Sequence, residues 1–507
     1  MALAKKMAYY YVSPSITCFQ TILPSKLKPQ SNRQSIKMIR MLRYEKDSKE
    51  KLSKKQSEFM DLIKEKEKIS YTQARKIYIG VRSLIDKGLI SEYEIEAMYE
   101  SQEVKQEKTD IVLNQAQKNA VNKVKLGLAH TYLLHGVTGS GKTEVYLQVA
   151  KKVLKNNQQV LIMVPELLLT PQMIDRVSKS FARDVAIYHS ALNEQEKYEQ
   201  YNRVKNNQVK IVVGTRSSIF LPFKNLGLIV LDEEHDSSYK QQNIPYYHAR
   251  DIAAWRQDYH QCPVILGSAS PSLESYARAL KSVYTLINLP DRINYSFPKV
   301  TLVDTQKTLY NQEGYYITDT LEKAIRLRRG YLPILRDAKT QQVLECPNCD
   351  VALNYHKFDK VLRCHICSYQ TNRNPENVKI IGQGMGTERL TEFVESKFPD
   401  AKVLRMDADT TRTKGSHQRI LDSFINHEYD ILIGTQMIAK GLDIENVTLV
   451  GVVNADAGLA HTDYRSVEQS FATLLQAAGR SGRGSKEGEV IMQSFNPDHY
   501  AIVCAVN

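Results

Sequence analysis

Residues 136–143 read Gly-Val-Thr-Gly-Ser-Gly-Lys-Thr, and about ninety positions later Asp232-Glu233-Glu234-His235 closes an apolar run. This pair constrains the fold more than anything else in the chain. The first segment fits G-x-x-x-x-G-K-[ST], a glycine loop whose backbone N–H groups wrap phosphate oxygens. In that reading Gly136, Val137, Thr138, Gly139, Ser140 and Gly141 cradle a nucleotide. Lys142 reaches the β- and γ-phosphates, and the Thr143 hydroxyl holds Mg2+. The context agrees: residues 130–134 read as a buried strand, and 143–154 as a helix whose N-terminus faces the phosphates. Residues 226–231 (LGLIVL) have the pattern of a central parallel strand. Such a strand delivers Asp232 to the C-terminal sheet edge, where ligands sit. There Asp232 can hold Mg2+, and Glu233 can orient or deprotonate an attacking water. A solvated acidic turn fits poorly beside a phosphate loop, so the pair points to ATP hydrolysis or descent from it.

The length of 507 residues suggests about three or four domains. Four of seven cysteines fall in two C-x-x-C pairs, which indicates a reducing compartment and metal binding in place of disulfides. No apolar run approaches the ~20 residues that span a bilayer, and MALAKKMAYYYV lacks the core and cleavage site of a signal peptide. The expectation is a cytoplasmic protein with no membrane partner. The net charge is +13, and residues 1–55 hold thirteen Lys/Arg against three Asp/Glu. A solvated basic surface is the plain reading; nucleic acid is the favoured one.

Residues 1–31 are apolar, aromatic and punctuated by proline, with no obvious core, and read as a linker or remnant. Within 32–105, Phe59, Leu62 and Ile63 make a helical stripe. A capped helix from Ser70, a third over 80–89 and the segment 90–99 complete the pattern of a winged helix. Such a module binds DNA or only braces a neighbour. Strands then alternate with helices over 106–292 and again over 293–507. The fold class is α/β: two tandem RecA-like parallel-sheet lobes, only the first with a phosphate loop. The first lobe's strands are read at 131–134, 160–164, 209–213, 228–231 and 264–267, the second's near 378–381, 402–406, 431–433, 449–453 and 490–493.

Cys346, Cys349, Cys364 and Cys367 form a zinc-ribbon insertion over 336–376 of lobe 2. Four thiolates at this spacing suit one closed tetrahedral Zn2+ site. His356 and His365 stand as substitute ligands. Thr215 and Arg216, like Thr435 and Gln436, follow apolar strands and can grip a DNA backbone. Tyr239 and Lys240 open a segment to His248 rich in Tyr, Gln and Lys, suited to stacking on single-stranded bases. Arg480 and Arg483 could neutralise charge growing on a γ-phosphate in the transition state.

The segments GVTGSGKTEVYL (136–147), VPELLLTPQ (164–172), GTRSSIF (214–220), DEEHDSSYKQQNIPYYHARD (232–251), GSASPSLES (267–275), GTQMIAKGLD (434–443) and QAAGRSGRG (476–484) resemble the primosomal replication-restart DNA helicases of superfamily 2. The resemblance runs nearly end to end. It implies an ATP-dependent 3′→5′ DNA helicase that binds stalled or abandoned forks and remodels them for primosome assembly. It also implies partners: forked and single-stranded DNA, the primosome, helicase-loading proteins and single-stranded-DNA-binding protein, with the chain a monomer. Gln117 would read the adenine edge, and the loop from Tyr239 would link DNA contact to hydrolysis.

The chain departs from that family in three ways. The family's zinc region carries two further cysteine pairs; here residues 337–342 (DAKTQQ) and 374–377 (NPEN) stand in their places, which leaves one ion. Residues 321–327 (LEKAIRL) run directly into Arg328-Arg329-Gly330-Tyr331, so the lobe 2 strand carrying motif IV is expected to be missing. The family's N-terminal DNA-binding and C-terminal domains are not recognisable. Two readings follow: an active translocase, or a DNA- or primosome-binding remnant that binds ATP and zinc without productive unwinding.

Overall fold

Short apolar runs bounded by helices become strands buried on both faces, and the chain builds two parallel sheets from them. The structure is a computed structural model. It describes residues 1–28, 38–46, 53–66, 69–96, 112–166, 171–181, 185–293, 297–306, 317–327, 331–333, 354–356, 361–363, 370–371, 387–407, 409–411, 416–439, 447–459, 464–482 and 488–506. The chain divides into two units. The first comprises Met1–Leu134, Thr143–Gly267 and Ser282–Ile287; the second comprises His135–Lys142, Ser268–Lys281 and Asn288–Asn507.

Residues 1–28 are not the linker that their composition suggests. Ala2–Tyr10 and Ser15–Ile22 are helices, and Ala4, Met7 and Cys18 are buried. Tyr10 packs edge-on against Trp255, and Lys6 lies over the same indole, its Nζ 4.8 Å from the ring centroid. Trp255, which packs on this hairpin, lies more than 200 positions away in sequence.

Three antiparallel strands follow, β1 (Met38–Tyr44), β2 (Ile69–Ser70) and β3 (Ile90–Glu96), in the order β2-β1-β3. Helices Lys54–Lys66, Tyr71–Ile77 and Val81–Asp86 pack on them through Leu42, Phe59, Ile63, Ala74, Leu84 and Ile90. Ser70 starts the second helix with a capping box: its hydroxyl accepts from Gln73 N, and the Gln73 side chain reaches back to the Ser70 backbone.

The larger sheet holds β4 (Thr131–Gly136), β5 (Gln159–Met163), β6 (Val185–Tyr188), β7 (Ile211–Gly214), β8 (Leu226–Asp232), β9 (Val264–Ser268) and β10 (Thr285–Leu289). Their order is β10-β4-β9-β8-β5-β7-β6, and the pairs β5–β7, β5–β8, β6–β7 and β8–β9 are parallel. Leu228–Leu231 of β8 are wholly buried, as their unbroken apolar run requires.

The second unit's main sheet is parallel throughout the described residues. It comprises β11 (Lys299–Asp304), β12 (Tyr331–Pro333), β16 (Val403–Met406), β17 (Ile431–Gly434), β18 (Leu449–Val452) and β19 (Glu489–Ser494). The order is β11-β19-β18-β12-β17-β16. Alternate residues feed two cores, Leu432, Val450 and Val490 on one face and Ile433, Leu449 and Ile491 on the other. The expected gap in this sheet is corrected by β12. Tyr331–Pro333, just beyond the Arg-Arg-Gly segment, occupy the place between β18 and β17 with three residues. A separate antiparallel sheet joins β13 (Asn354–His356), β14 (Val361–Arg363) and β15 (Gln370–Thr371). The expected strand at 378–381 lies outside the described residues.

Candidate nucleotide site

In the second unit, the loop after β4 is wound by backbone hydrogen bonds. Ser140 N donates to Val137 O at 3.0 Å, and Val137 N donates to Leu289 O at 3.2 Å. Gly139 and Gly141 have φ of +84° and +79°, a left-handed backbone that favours glycine. A Cβ on Gly136 would lie 2.6 Å from Ser140 Oγ and 3.1 Å from Lys142 Cγ, so the turn closes over a bare backbone. Lys142 is nearly buried and its Nζ donates to Gly136 O at 2.8 Å, which holds the ammonium across the loop's mouth. Thr143 is half-buried in the first turn of helix Lys142–Lys155. Burial holds His135 below the ordinary histidine range; its backbone bond to Ala269 opposes that, and the charge of Lys142 reinforces it.

Gln117 is buried in the first unit, where its Oε1 accepts from Asn114 N at 3.0 Å and its own N–H donates to Asn114 Oδ1 at 2.8 Å. This box caps helix Gln115–Lys123.

The acidic residues end β8 in the first unit. Tyr146, fully buried on the helix that follows the loop, donates its hydroxyl to Asp232 Oδ1 at 3.0 Å. Burial, and then the carboxylates of Asp232 and Glu233, keep that phenol well above its ordinary pKa, so it remains a donor. Glu233 has φ +48°, a backbone region that non-glycine residues enter at a cost and that clusters at functional sites. Its Oε2 is buried without a hydrogen bond, 3.6 Å from His235 Nδ1. Glu234 is anchored by Arg250 Nη1 at 3.2 Å.

Tyr239 is corrected from stacking platform to core residue. Its ring is fully buried, and its hydroxyl lies 2.7 Å from Asp232 O and 3.0 Å from Met163 O. Tyr247 is buried too; the exposed aromatic of this loop is Tyr246, at 47%. Lys240 Nζ donates to Tyr246 O and sits over the Tyr11 ring. Arg216 Nη1 donates to Ser238 O at 3.2 Å and Lys240 O at 2.8 Å, tying this loop to the end of β7. Thr215 is also corrected: it is buried and its N–H donates to Tyr188 O at 3.0 Å, so it shapes the turn instead of presenting an amide.

In the second unit Gln436 is exposed at the start of helix Gln436–Ala439, and Thr435 is half-buried before it. Arg480 Nε donates to Ala439 O at 2.9 Å. Within the same unit a Cβ on the neighbouring Gly479 would come to 2.9 Å from Thr138 of the phosphate loop. Arg483, Cys346, Cys349, Cys364 and Cys367 lie outside the described residues. Among the described residues no three His, Cys, Asp or Glu side chains are grouped to hold a metal, and no helix is long and apolar enough to cross a membrane.

Tyr146 was not legible as a site residue. It lies among Val145, Leu147, Val149 and Val153, all buried, so helical periodicity marks it as core.

A family model described as DEAD/DEAH box helicase matches residues 114–279, and one described as helicase conserved C-terminal domain matches 356–485. The chain is 43% identical to Replication restart protein PriA of Bacillus subtilis (strain 168), over 83% of this chain and 56% of that one. It is also 43% identical to Replication restart protein PriA of Synechocystis sp., over 83% of this chain and 54% of that one. The chain thus spans about half the length of these curated relatives. Among solved structures, S. cerevisiae Dbp5 bound to RNA and ADP BeF3 aligns with a TM-score of 0.47 at 14% identity, covering 77% of this chain and 86% of that one. With both helicase models matched and this identity to the PriA proteins, the chain belongs to the PriA-type family of superfamily 2 helicases.

Proposed function

We propose that the chain is an ATP-driven 3′→5′ DNA translocase that acts on stalled or abandoned forks and prepares them for primosome assembly. The observation that carries the reading is the phosphate loop, closed over Gly136 with Lys142 across its mouth. A loop of bare N–H groups and one fixed ammonium binds a triphosphate by geometry and charge. Thr143 and Asp232 are the residues that would hold Mg2+, which when bound would supply positive charge to offset charge developing on the phosphates. Lys142 keeps the β- and γ-phosphates in place, and Glu233, on its strained backbone, orients the attacking water or takes its proton. Arg480 and Arg483 neutralise charge on the γ-phosphate, and Gln117 reads the base.

On the nucleic-acid side, Arg216, Lys240, Thr435 and Gln436 contact the DNA backbone. Tyr239 acts beneath the surface as a link between its loop and Asp232. The module of β1–β3 is read as a winged helix, and the basic balance of residues 1–55 adds phosphate contacts. One Zn2+ is assigned to Cys346, Cys349, Cys364 and Cys367. The partners of this reading are forked and single-stranded DNA and the helicase-loading proteins of the primosome, consistent with roles in replication, repair and recombination.

Phosphate release is the direct test. Hydrolysis should rise on forked or single-stranded DNA, vanish in Lys142→Ala, and stop in Glu233→Gln while nucleotide binding survives. Wild-type protein that releases no more phosphate than these variants on any DNA sinks the reading. A strand-displacement assay with opposite single-stranded tails tests the polarity.

A further inference from the structure

We propose that Tyr146 is a positioning residue for nucleotide cleavage, holding the Asp232 carboxylate in one orientation, and that position 267 is glycine to admit its hydroxyl. The inference rests on the nucleotide reading above.

Three observations within the first unit carry it. The Tyr146 hydroxyl donates to Asp232 Oδ1 at 3.0 Å, from a side chain with 1% exposure. Gly267 is paired in register with Asp232 across β8 and β9. A Cβ there would lie 1.5 Å from the Tyr146 oxygen, an overlap that nothing short of moving the phenol relieves. The third is at the other end of the same aspartate, where Tyr239 donates to the Asp232 carbonyl at 2.7 Å. Two phenols therefore hold one residue, one by its side chain and one by its backbone.

The physical need is plain. An aspartate carboxylate rotates in a broad, roughly two-fold well about χ2. A strand-end carboxylate that must meet a cation in one pose gains from a fixed donor on one oxygen, as ligating carboxylates generally do. The ring of Tyr146 alone would fill the core equally well as phenylalanine, so the hydroxyl is the part that needs a reason. Gly267 supplies the second half of that reason, because β9 forgoes a side chain at the single register position facing Asp232. A hydrophobic core has no use for that opening; a hydroxyl aimed at the carboxylate does.

The test uses the full chain and a fluorescent ATP analogue, with affinity measured in EDTA and across a Mg2+ series, alongside phosphate release. In Tyr146→Phe the affinity in EDTA should be unchanged. The Mg2+ concentration at half-maximal tightening should rise about tenfold, and kcat should fall between about tenfold and a hundredfold, the scale of a small misplacement of a reacting group. Gly267→Ala should raise the Mg2+ requirement in the same way with Tyr146 still present. Tyr146→Phe keeps the ring and decides the matter alone if the alanine variant does not fold. A purely structural hydroxyl would lower the melting temperature and leave the Mg2+ midpoint where it is, and that result overturns the proposal. Wild-type protein whose analogue binding ignores Mg2+ and which hydrolyses nothing would instead overturn the nucleotide reading beneath it.

Discussion

The hydroxyl of Tyr11 donates to Asp251 Oδ2 at 2.7 Å, across 240 positions of sequence. The same oxygen accepts from His248 N at 3.1 Å. Burial, only partly opposed by the bond from His248, pushes the phenol well above its ordinary pKa, so the contact is a neutral donor on a carboxylate.

Tyr11→Phe should therefore destabilise the docked N-terminal hairpin by about 1–3 kcal/mol, the scale of a hydrogen bond to a charged group. The check is limited proteolysis: residues 1–28 should be cut faster in the variant, while global unfolding by urea shifts less.

The phosphate loop predicts a contrast between two glycines. Gly139 has room for a side chain, the nearest atom being Arg292 Cγ at 3.9 Å, but its φ is +84°. Asparagine tolerates that backbone better than alanine does. Gly139→Asn should keep more nucleotide affinity than Gly139→Ala, whose strain costs about 1–2 kcal/mol. Gly136 is limited by packing instead, so asparagine there should weaken binding more than alanine. Equilibrium binding of a fluorescent nucleotide ranks the four.

His260 gives a pH signature. Burial first, and then the charge of Arg256, push its pKa down to about 4. The folded value lies below the unfolded one, so the unfolded chain binds more protons as pH falls. Stability is fully present above about pH 6.5 and is lost progressively toward pH 4. The ring is half-exposed, and with solvent screening the loss is roughly 1–2 kcal/mol. Comparing urea midpoints at pH 7.5 and 4.5, His260→Gln should show a smaller drop than wild type.

Metal analysis tests the cysteine assignment. The ratio should be close to one zinc per chain, and Cys346→Ser should lose it. A ratio near two, or a metal that survives this change, removes the single-site reading.

The sheets were readable because their strands are unbroken apolar runs: β5, β8, β9, β17 and β19 each contain the predicted segment or nearly so. β6 and β10 escaped notice, and β10 breaks its apolar run with Asn288. The site's backbone was legible in glycines and acids, but its supports were not. Tyr239 mixes with Lys, Gln and Tyr in a polar segment, and only the carbonyls of Met163 and Asp232, met in three dimensions, make it core. The hairpin at residues 1–28 failed for the same reason, since Trp255 and Asp251 cannot be inferred from MALAKKMAYYYV.

The three-residue strand β12 has a mechanical consequence. Among the described residues it pairs with β17 at three positions, Tyr331 to Pro333, and with β18 at Tyr331 opposite Val450. Among the described residues, the two rafts β11-β19-β18 and β17-β16 are therefore joined through the three residues of β12. What keeps the rafts in one plane is the side-chain layer on each face, where Leu432 shares a core with Val450, and Ile433 shares one with Leu449. Resistance to shear in this half of the protein comes from close-packed side chains more than from backbone lacing. Any force that nucleotide turnover puts through β17 or β18 would be felt first at Tyr331.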